Sequence, residues 1–257
     1  MSGPENFLDL SDEVALVTGG SRGIGAAVAE KLASCGANVV INSTEKSRLE
    51  ATKVVEKIKS YGGDALWICG DISEEEGGGK LVSETVERFN RLGILVHCAG
   101  ITDDDLFMRL TGQRWRRVID VNLNSAFYVC QPTLRQMQKQ REGSIILLSS
   151  VVAHGNKGQA SYGASKAGLE GLMRSLAVEY ANPKRSIRVN AISAALVDTD
   201  MAKGLTEEQR ANIISKTPIG RIIDPDEVAN VALFLSSKMS SAITGAVIDV
   251  DGGMLRR

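Results

Sequence analysis

Residues 14–25 read Val-Ala-Leu-Val-Thr-Gly-Gly-Ser-Arg-Gly-Ile-Gly. The run 14–18 carries no charge and has the length of a strand buried on both faces. A glycine-rich turn follows at once, and a helical pattern runs from Ile24 to Ser34. Glycine permits so tight a turn and lets a diphosphate approach the main chain. The helix beyond offers free N–H groups and the positive end of its dipole. Spaced glycines alone are weak evidence, because glycine turns are common. Between a first strand and a first helix they predict a nucleotide site over Gly19, Gly20, Ser21, Arg22, Gly23, Ile24 and Gly25.

Further strands are predicted at 37–42, 65–69, 94–98, 144–149, 187–192 and 246–250. Between them, helices are predicted at 45–61, 81–90, 112–140 (with a break near Pro132), 161–180 and 224–235. Repeated β-α-β order implies parallel strands with right-handed crossovers. No linker or repeat divides the chain. The expectation is one α/β domain over 1–257, a Rossmann-like doubly wound parallel sheet flanked by helices. Gly77-Gly78-Gly79 falls where helix is expected, although each glycine costs a helix about 1 kcal/mol relative to alanine.

Composition narrows the function classes. The 257 residues hold 30 Lys+Arg against 31 Asp+Glu, a net charge of −1. A nucleic-acid-binding domain would carry a basic excess. Two histidines leave little room for a histidine-rich metal site. Cys35, Cys69, Cys98 and Cys130 form no CxxC pair, which argues against structural zinc and for free thiols in a reducing compartment. The first twelve residues show no secretory leader, and no apolar run approaches the ~20 residues of a membrane-spanning helix. A cytoplasmic location is expected; an organellar mature form would read the same.

Charge also speaks to the nucleotide. An NAD site commonly has an acid at the end of the second strand to hold the ribose 2′-hydroxyl. Here that strand ends Asn42-Ser43-Thr44, with no acid before Glu45, while Arg22, Lys46 and Arg48 lie close in sequence. A 2′-phosphate is welcomed there, so NADPH is favoured. Tyr162 and Lys166 are four apart on a predicted helix and share a face. An ammonium beside a phenol lowers a pKa that starts near 10, which suits the phenol to exchange a proton with a carbonyl oxygen. Ser149 and Ser150 end the fifth strand, at the edge where α/β sheets place ligands. Asn122 lies in the long helix after the fourth.

Taken together, Thr18-Gly-x3-Gly-x-Gly25, Cys98-Ala99-Gly100, Asn122, Ser150, Tyr162-x3-Lys166 and Asp251-Gly252-Gly253 resemble the short-chain dehydrogenase/reductase family from about Ser11 to Met254. Within it the chain is similar to the β-ketoacyl-acyl-carrier-protein reductases, at 100–109, 158–162, 198–201, 218–221 and 243–245. The resemblance implies NADPH-dependent reduction of 3-oxoacyl thioesters in fatty acid synthesis. Tyr162 would protonate the carbonyl oxygen, Lys166 would depress the tyrosine and hold the nicotinamide ribose, Ser150 would bond the substrate oxygen, and Asn122 would hold a relay water. Gly19 to Gly25 and Thr44 would meet the diphosphate and adenosine ribose. Asp71 and Ile72 would meet the adenine, Cys98, Ala99 and Gly100 would line the cofactor, and Val197 and Thr199 would meet the carboxamide. The resemblance also implies a homotetramer, and docking of an acidic acyl carrier protein through Arg141.

The chain departs from the family pattern in places. His97-Cys98-Ala99-Gly100 stands where the family usually has Asn-Asn-Ala-Gly, and His97 is read as a core residue. Ala194-Ala195 replaces Pro-Gly beside the nicotinamide, which puts that loop in doubt. Ser150 is preferred as the substrate serine, although Ser149 fits the usual spacing to Tyr162. A second docking arginine of the family is Val178 here, with Arg114, Arg116, Arg117, Arg135 and Lys139 as possible substitutes. Asp103–Asp105 is read as a solvated loop. Two rival readings stay open: a general carbonyl or hydroxysteroid-type reductase, and a non-catalytic cofactor-binding subunit of a hetero-oligomer.

Overall fold

A computed structural model describes residues 7–255. The chain runs β1 (Val14–Thr18), α1 (Gly23–Ser34), β2 (Asn38–Ser43), α2 (Arg48–Ser60), β3 (Ala65–Cys69), α3 (Glu75–Phe89) and β4 (Ile94–His97). Next come α4 (Gly112–Ile119), α5 (Ser125–Gln140), β5 (Glu142–Ser150), α6 (Ala160–Tyr180) and β6 (Ser186–Ala194). Last are α7 (Asp200–Lys203), α8 (Glu207–Lys216), α9 (Pro225–Ser236) and β7 (Val247–Val250). All pairings are parallel, in the order β3-β2-β1-β4-β5-β6-β7.

The apolar runs are continuous because both faces of the sheet are covered. Val17 and Ile41 face α1, α2 and α9, where Leu32, Ile58 and Leu235 pack. Leu16, Leu95 and Leu147 face α3, α5 and α6, where Val82, Met137 and Leu169 pack. The strand order reverses between β1 and β4, so a crevice opens at the carboxyl ends of those strands. Among the described residues no helix is long and apolar enough to cross a membrane. The four cysteines are free thiols.

Helix α3 begins at Glu75, six positions ahead of the expected start, and includes the three glycines. A Cβ on Gly77 would fall on the Asp71 carbonyl, and one on Gly78 would fall on the Tyr128 carbonyl of α5. Pro132 has no N–H, so Tyr128 lacks its donor at i+4. Gly78 packs against that freed carbonyl. Gly79 meets nothing within 4 Å.

The long helix does not break at Pro132, which sits inside α5. Its irregularity lies upstream, where Asp120–Asn124 forms a π-turn between α4 and α5. Helices α7 and α8 lie in a stretch where no helix was expected. Helix α8 buries no residue, so it shows no apolar stripe, and its start is fixed locally by a capping box between Thr206 and Gln209.

Candidate active site

The glycine turn lies at the carboxyl end of β1. Gly19 has φ +64°, and a Cβ there would come within 2.9 Å of the Ala99 main chain. A Cβ on Gly25 would strike the Gly19 carbonyl. Arg22 is the extended N-cap of α1 and makes no side-chain cap. The first N–H groups of α1 therefore stay available to an anion. Arg22 is exposed, while Ser21 is buried. Thr44 is exposed at the end of β2. Nearby, Arg48 pairs with Glu45 and lies 5.2 Å over the Trp67 ring, whose Nε1–H donates to Ser43 Oγ at 3.0 Å.

Asn42 Nδ2 donates to the carbonyls of Ile68 (3.2 Å) and Gly70 (3.1 Å), and so pins the end of β3. Asp71 follows and accepts from the Ser73 N–H (2.9 Å) and hydroxyl (2.7 Å). The Ile72 side chain is buried in the core with Leu81, so only its main chain is left to face an adenine. Free amides, a turn that side chains would fill and an exposed arginine fit NADPH.

Four side chains meet beside this turn. The Ser150 hydroxyl favours the phenolate of Tyr162, and it accepts from the Val152 N–H at 3.2 Å. Burial pushes the phenol up to about 12, against the pull of Ser150. This differs from the depressed phenol that the Tyr-x3-Lys spacing suggests. Lys166 Nζ lies 5.5 Å from the phenol ring centroid and donates to the Leu148 carbonyl at 2.6 Å. Its burial brings the ammonium down to about 8, and desolvation outweighs the opposing pull of Ser150 at the phenol and of Cys98 at the ammonium.

Ser149 turns the other way. Its hydroxyl donates to Glu170 Oε1 at 3.0 Å and lies 3.3 Å from the Lys166 carbonyl. Asn122 has its amide fully engaged: Nδ2 donates to the Ile101 carbonyl and to Ser165 Oγ, both at 3.0 Å, and Oδ1 accepts from the Ile101 N–H at 2.8 Å. Only its main chain remains for a water. Gly100 separates Asn122 from Lys166; a Cβ there would lie 3.4 Å from Asn122 Oδ1 and 3.5 Å from Lys166 Nζ. Cys98 is half-buried, and desolvation pushes its thiol up to about 12, which keeps it protonated.

The loop after β6 closes the site without Pro-Gly. Ala195 donates to the Val250 carbonyl at 3.2 Å, and Val197 forms a bridge with Ile223. Positive φ is confined, outside glycine, to Asn90 and Arg141 among the described residues, so Ala195 is unstrained. Thr199 lies against Gly23, 3.2 Å from the place of a Cβ there.

Other expectations fare differently. Arg141 precedes β5, whereas Ser150 ends it. At ~3.3 Å per residue they stand roughly 30 Å apart, on opposite edges of the sheet. Arg114 donates to Asp103 (2.9 Å) and Asp105 (2.8 Å), so it is committed, and these two aspartates are half-buried and ion-paired while Asp104 is exposed, as a solvated loop would have it. Between them Asp104 accepts from Gln159 at 2.9 Å, and its charge pushes Tyr162 further up. Sequence reasoning missed this carboxylate, since three consecutive aspartates look alike until Arg114 takes two.

A family model described as enoyl-(acyl carrier protein) reductase matches residues 19–255. The chain is 45% identical over 249 residues to a 3-oxoacyl-[acyl-carrier-protein] reductase FabG of Aquifex aeolicus, covering 96% of this chain and 99% of that one. To the FabG of Pseudomonas aeruginosa it is 40% identical over 248 residues, covering 96% and 99%. Among solved structures it matches a protein described as a candidate gluconate dehydrogenase of Agrobacterium tumefaciens, with TM-score 0.93, 34% identity and coverage of 98% and 100%.

Proposed function

The chain belongs to the short-chain dehydrogenase/reductase family, and from that premise we propose how its residues carry out the reaction. It is an oxidoreductase of the 3-oxoacyl-acyl-carrier-protein reductase type, working in fatty acid synthesis with NADPH. Bound NADPH supplies the hydride. The turn Gly19–Gly25 and the first N–H groups of α1 hold its diphosphate, and Arg22 with Thr44 takes the adenosine side. Asp71, Ile72, Cys98, Ala99 and Gly100 line it mainly through the main chain. Val197 and Thr199 receive the carboxamide.

Tyr162 gives its proton to the ketone oxygen, and Ser150 donates a hydrogen bond to the same oxygen. Lys166 holds the ribose and supplies positive charge beside the phenol. Asn122 fixes the loop at Ile101 with its amide and offers its carbonyl to a relay water. The observation that carries this reading is the Lys166 ammonium 5.5 Å from the Tyr162 ring, with Ser150 at the carboxyl end of β5, beside the switch point of the sheet. Two hydroxyl donors converging on one point suit a carbonyl oxygen. The relatives at 40–45% identity are 3-oxoacyl reductases, which favours the ketone over the enoyl substrate of the family model's description.

The whole chain acts as one cofactor-binding unit in the cytoplasm. Copies meet through the exposed faces of α5 and α6, where Phe127 and Val178 are uncovered, in a homotetramer. Arg141 lies too far from the cleft of its own chain to guide a carrier there, so it serves the cleft of a neighbouring copy. The test is turnover of NADPH and NADH with acetoacetyl-CoA, a 3-oxoacyl carrier substrate, an enoyl thioester and simple ketones. Oxidation of NADPH by the 3-oxoacyl thioesters is expected. Turnover of the enoyl thioester alone, or of nothing while NADPH binds, would overturn the assignment.

A further inference from the structure

His97 ends β4 with no exposed surface. Its Nδ1 lies 3.0 Å from Thr18 Oγ1, and its Nε2 lies 3.2 Å from Ser125 Oγ. The neighbours decide which nitrogen carries the proton. Ser125 gives its single hydroxyl proton to the Val121 carbonyl at 2.6 Å. It can therefore only accept from the ring, so Nε2 is the donor. A neutral imidazole then leaves Nδ1 as acceptor, and Thr18 donates to it. Thr18 Oγ1 in turn accepts from the Ala99 N–H at 3.3 Å.

The chain of bonds continues toward the chemistry. Through Ser125, whose hydroxyl donates to the Val121 carbonyl, the ring reaches the π-turn that carries Asn122. Asn122 Nδ2 donates to Ser165 Oγ at 3.0 Å, and Ser165 donates to the Tyr162 carbonyl at 2.7 Å. One path thus runs from β1, at the root of the glycine turn, through the π-turn to the helix bearing Tyr162 and Lys166. We infer that His97 is a positioning residue: as the neutral Nε2–H tautomer it ties the π-turn at Asp120–Asn124 to β1, and so sets where Tyr162 and Lys166 stand relative to the cofactor.

Burial and the nearby Lys166 ammonium hold His97 down to about 3, so it stays neutral wherever the protein is folded. Protonation would put hydrogens on both nitrogens and force Thr18 to redirect its own. Asparagine at this position is too short to bond Thr18 and Ser125 together. The inference rests on the roles given above to Tyr162 and Lys166, but its tautomer can be read without turnover.

With two histidines in the chain, 15N-histidine NMR of the unmodified protein separates His97 from the exposed His154. The buried ring of His97 should remain the Nε2–H tautomer from about pH 8 to about pH 5. For the folded fraction of His97→Leu, kcat should fall on the order of tenfold to a hundredfold. NADPH affinity should move less than about threefold, within about 0.7 kcal/mol by the tenfold rule. Ser125→Ala, which leaves the ring in place, should lower kcat in the same way, and the double variant should lose no more than the worse single one. An Nδ1–H or doubly protonated His97, a wild-type kcat per folded molecule in both single variants, or additive losses would each overturn the inference. If the unmodified protein turns over no thioester, the assignment of the site fails instead, and the NMR tautomer still decides the bond pattern.

Discussion

Lys166→Met should abolish turnover and yet stabilise the cofactor-free protein at neutral pH. The ammonium is 3% exposed, and its hydrogen-bond partner is one neutral carbonyl, that of Leu148 at 2.6 Å. Burial takes its pKa from 10.5 down to about 8. At about 1.4 kcal/mol per pH unit, keeping it charged costs the fold about 3 kcal/mol at pH 7. The unfolded chain binds more protons than the native one between these two values, so stability rises with pH from about 8 to about 10.5. Methionine carries no charge and shows no such rise. It also leaves the Leu148 carbonyl without its donor, which costs about 1–3 kcal/mol.

The variant should then be about 1 kcal/mol more stable than the parent at pH 7, and about 1 kcal/mol less stable near pH 10, where part of the charge penalty still remains. Tyr162, pushed up by burial, contributes stability that is lost above about pH 10, but in both proteins alike, so it cancels in the difference. Urea unfolding of both proteins, without cofactor, at steps from about pH 7 to about pH 10 measures the gap. A gap that stays constant with pH would refute a buried, strained ammonium, whatever its sign.

Tyr162→Phe should keep NADPH affinity, read by fluorescence titration, and lose about 10²- to 10⁴-fold in kcat, the usual span for a general acid. The two serines should separate: Ser150→Ala lowers kcat about tenfold or more, like the loss of an oxyanion donor. Ser149→Ala leaves kcat nearly unchanged but costs about 1–3 kcal/mol in urea melts, because Glu170 Oε1 loses its donor. The neighbouring glycines of α3 should differ as well. Gly78→Val lowers the melting temperature by driving α3 off the Tyr128 carbonyl, whereas Gly79→Ala, facing open space, raises stability by up to about 1 kcal/mol.

The strands were legible because their signal is local. A parallel strand covered on both faces must be apolar at every position, and the seven such runs lie within two residues of the observed strands. Helices with a buried stripe were legible for the same reason. Helix α8 was not, since it buries nothing and relies on a Thr206–Gln209 cap that looks like any polar turn. The Gly77–Gly79 run misled for the opposite reason. Its middle glycine, Gly78, answers to a helix fifty residues away, through a carbonyl that Pro132 leaves free.

The site divides along the same line. Tyr162 and Lys166 could be paired from spacing, because four residues on a helix is a geometric statement. What their pairing does to each pKa could not, because the sign depends on burial that spacing does not report. Here burial wins at both groups, and Lys166 is held charged at a cost while Tyr162 is held protonated. For the proton donation proposed for Tyr162, a phenol that stays protonated is the useful state. The depressed tyrosine expected from the motif suits the reverse reaction, alcohol oxidation, where a base is needed. The burial of α6 against β5 sets both shifts, and it is written in tertiary packing and absent from the Tyr-x3-Lys string.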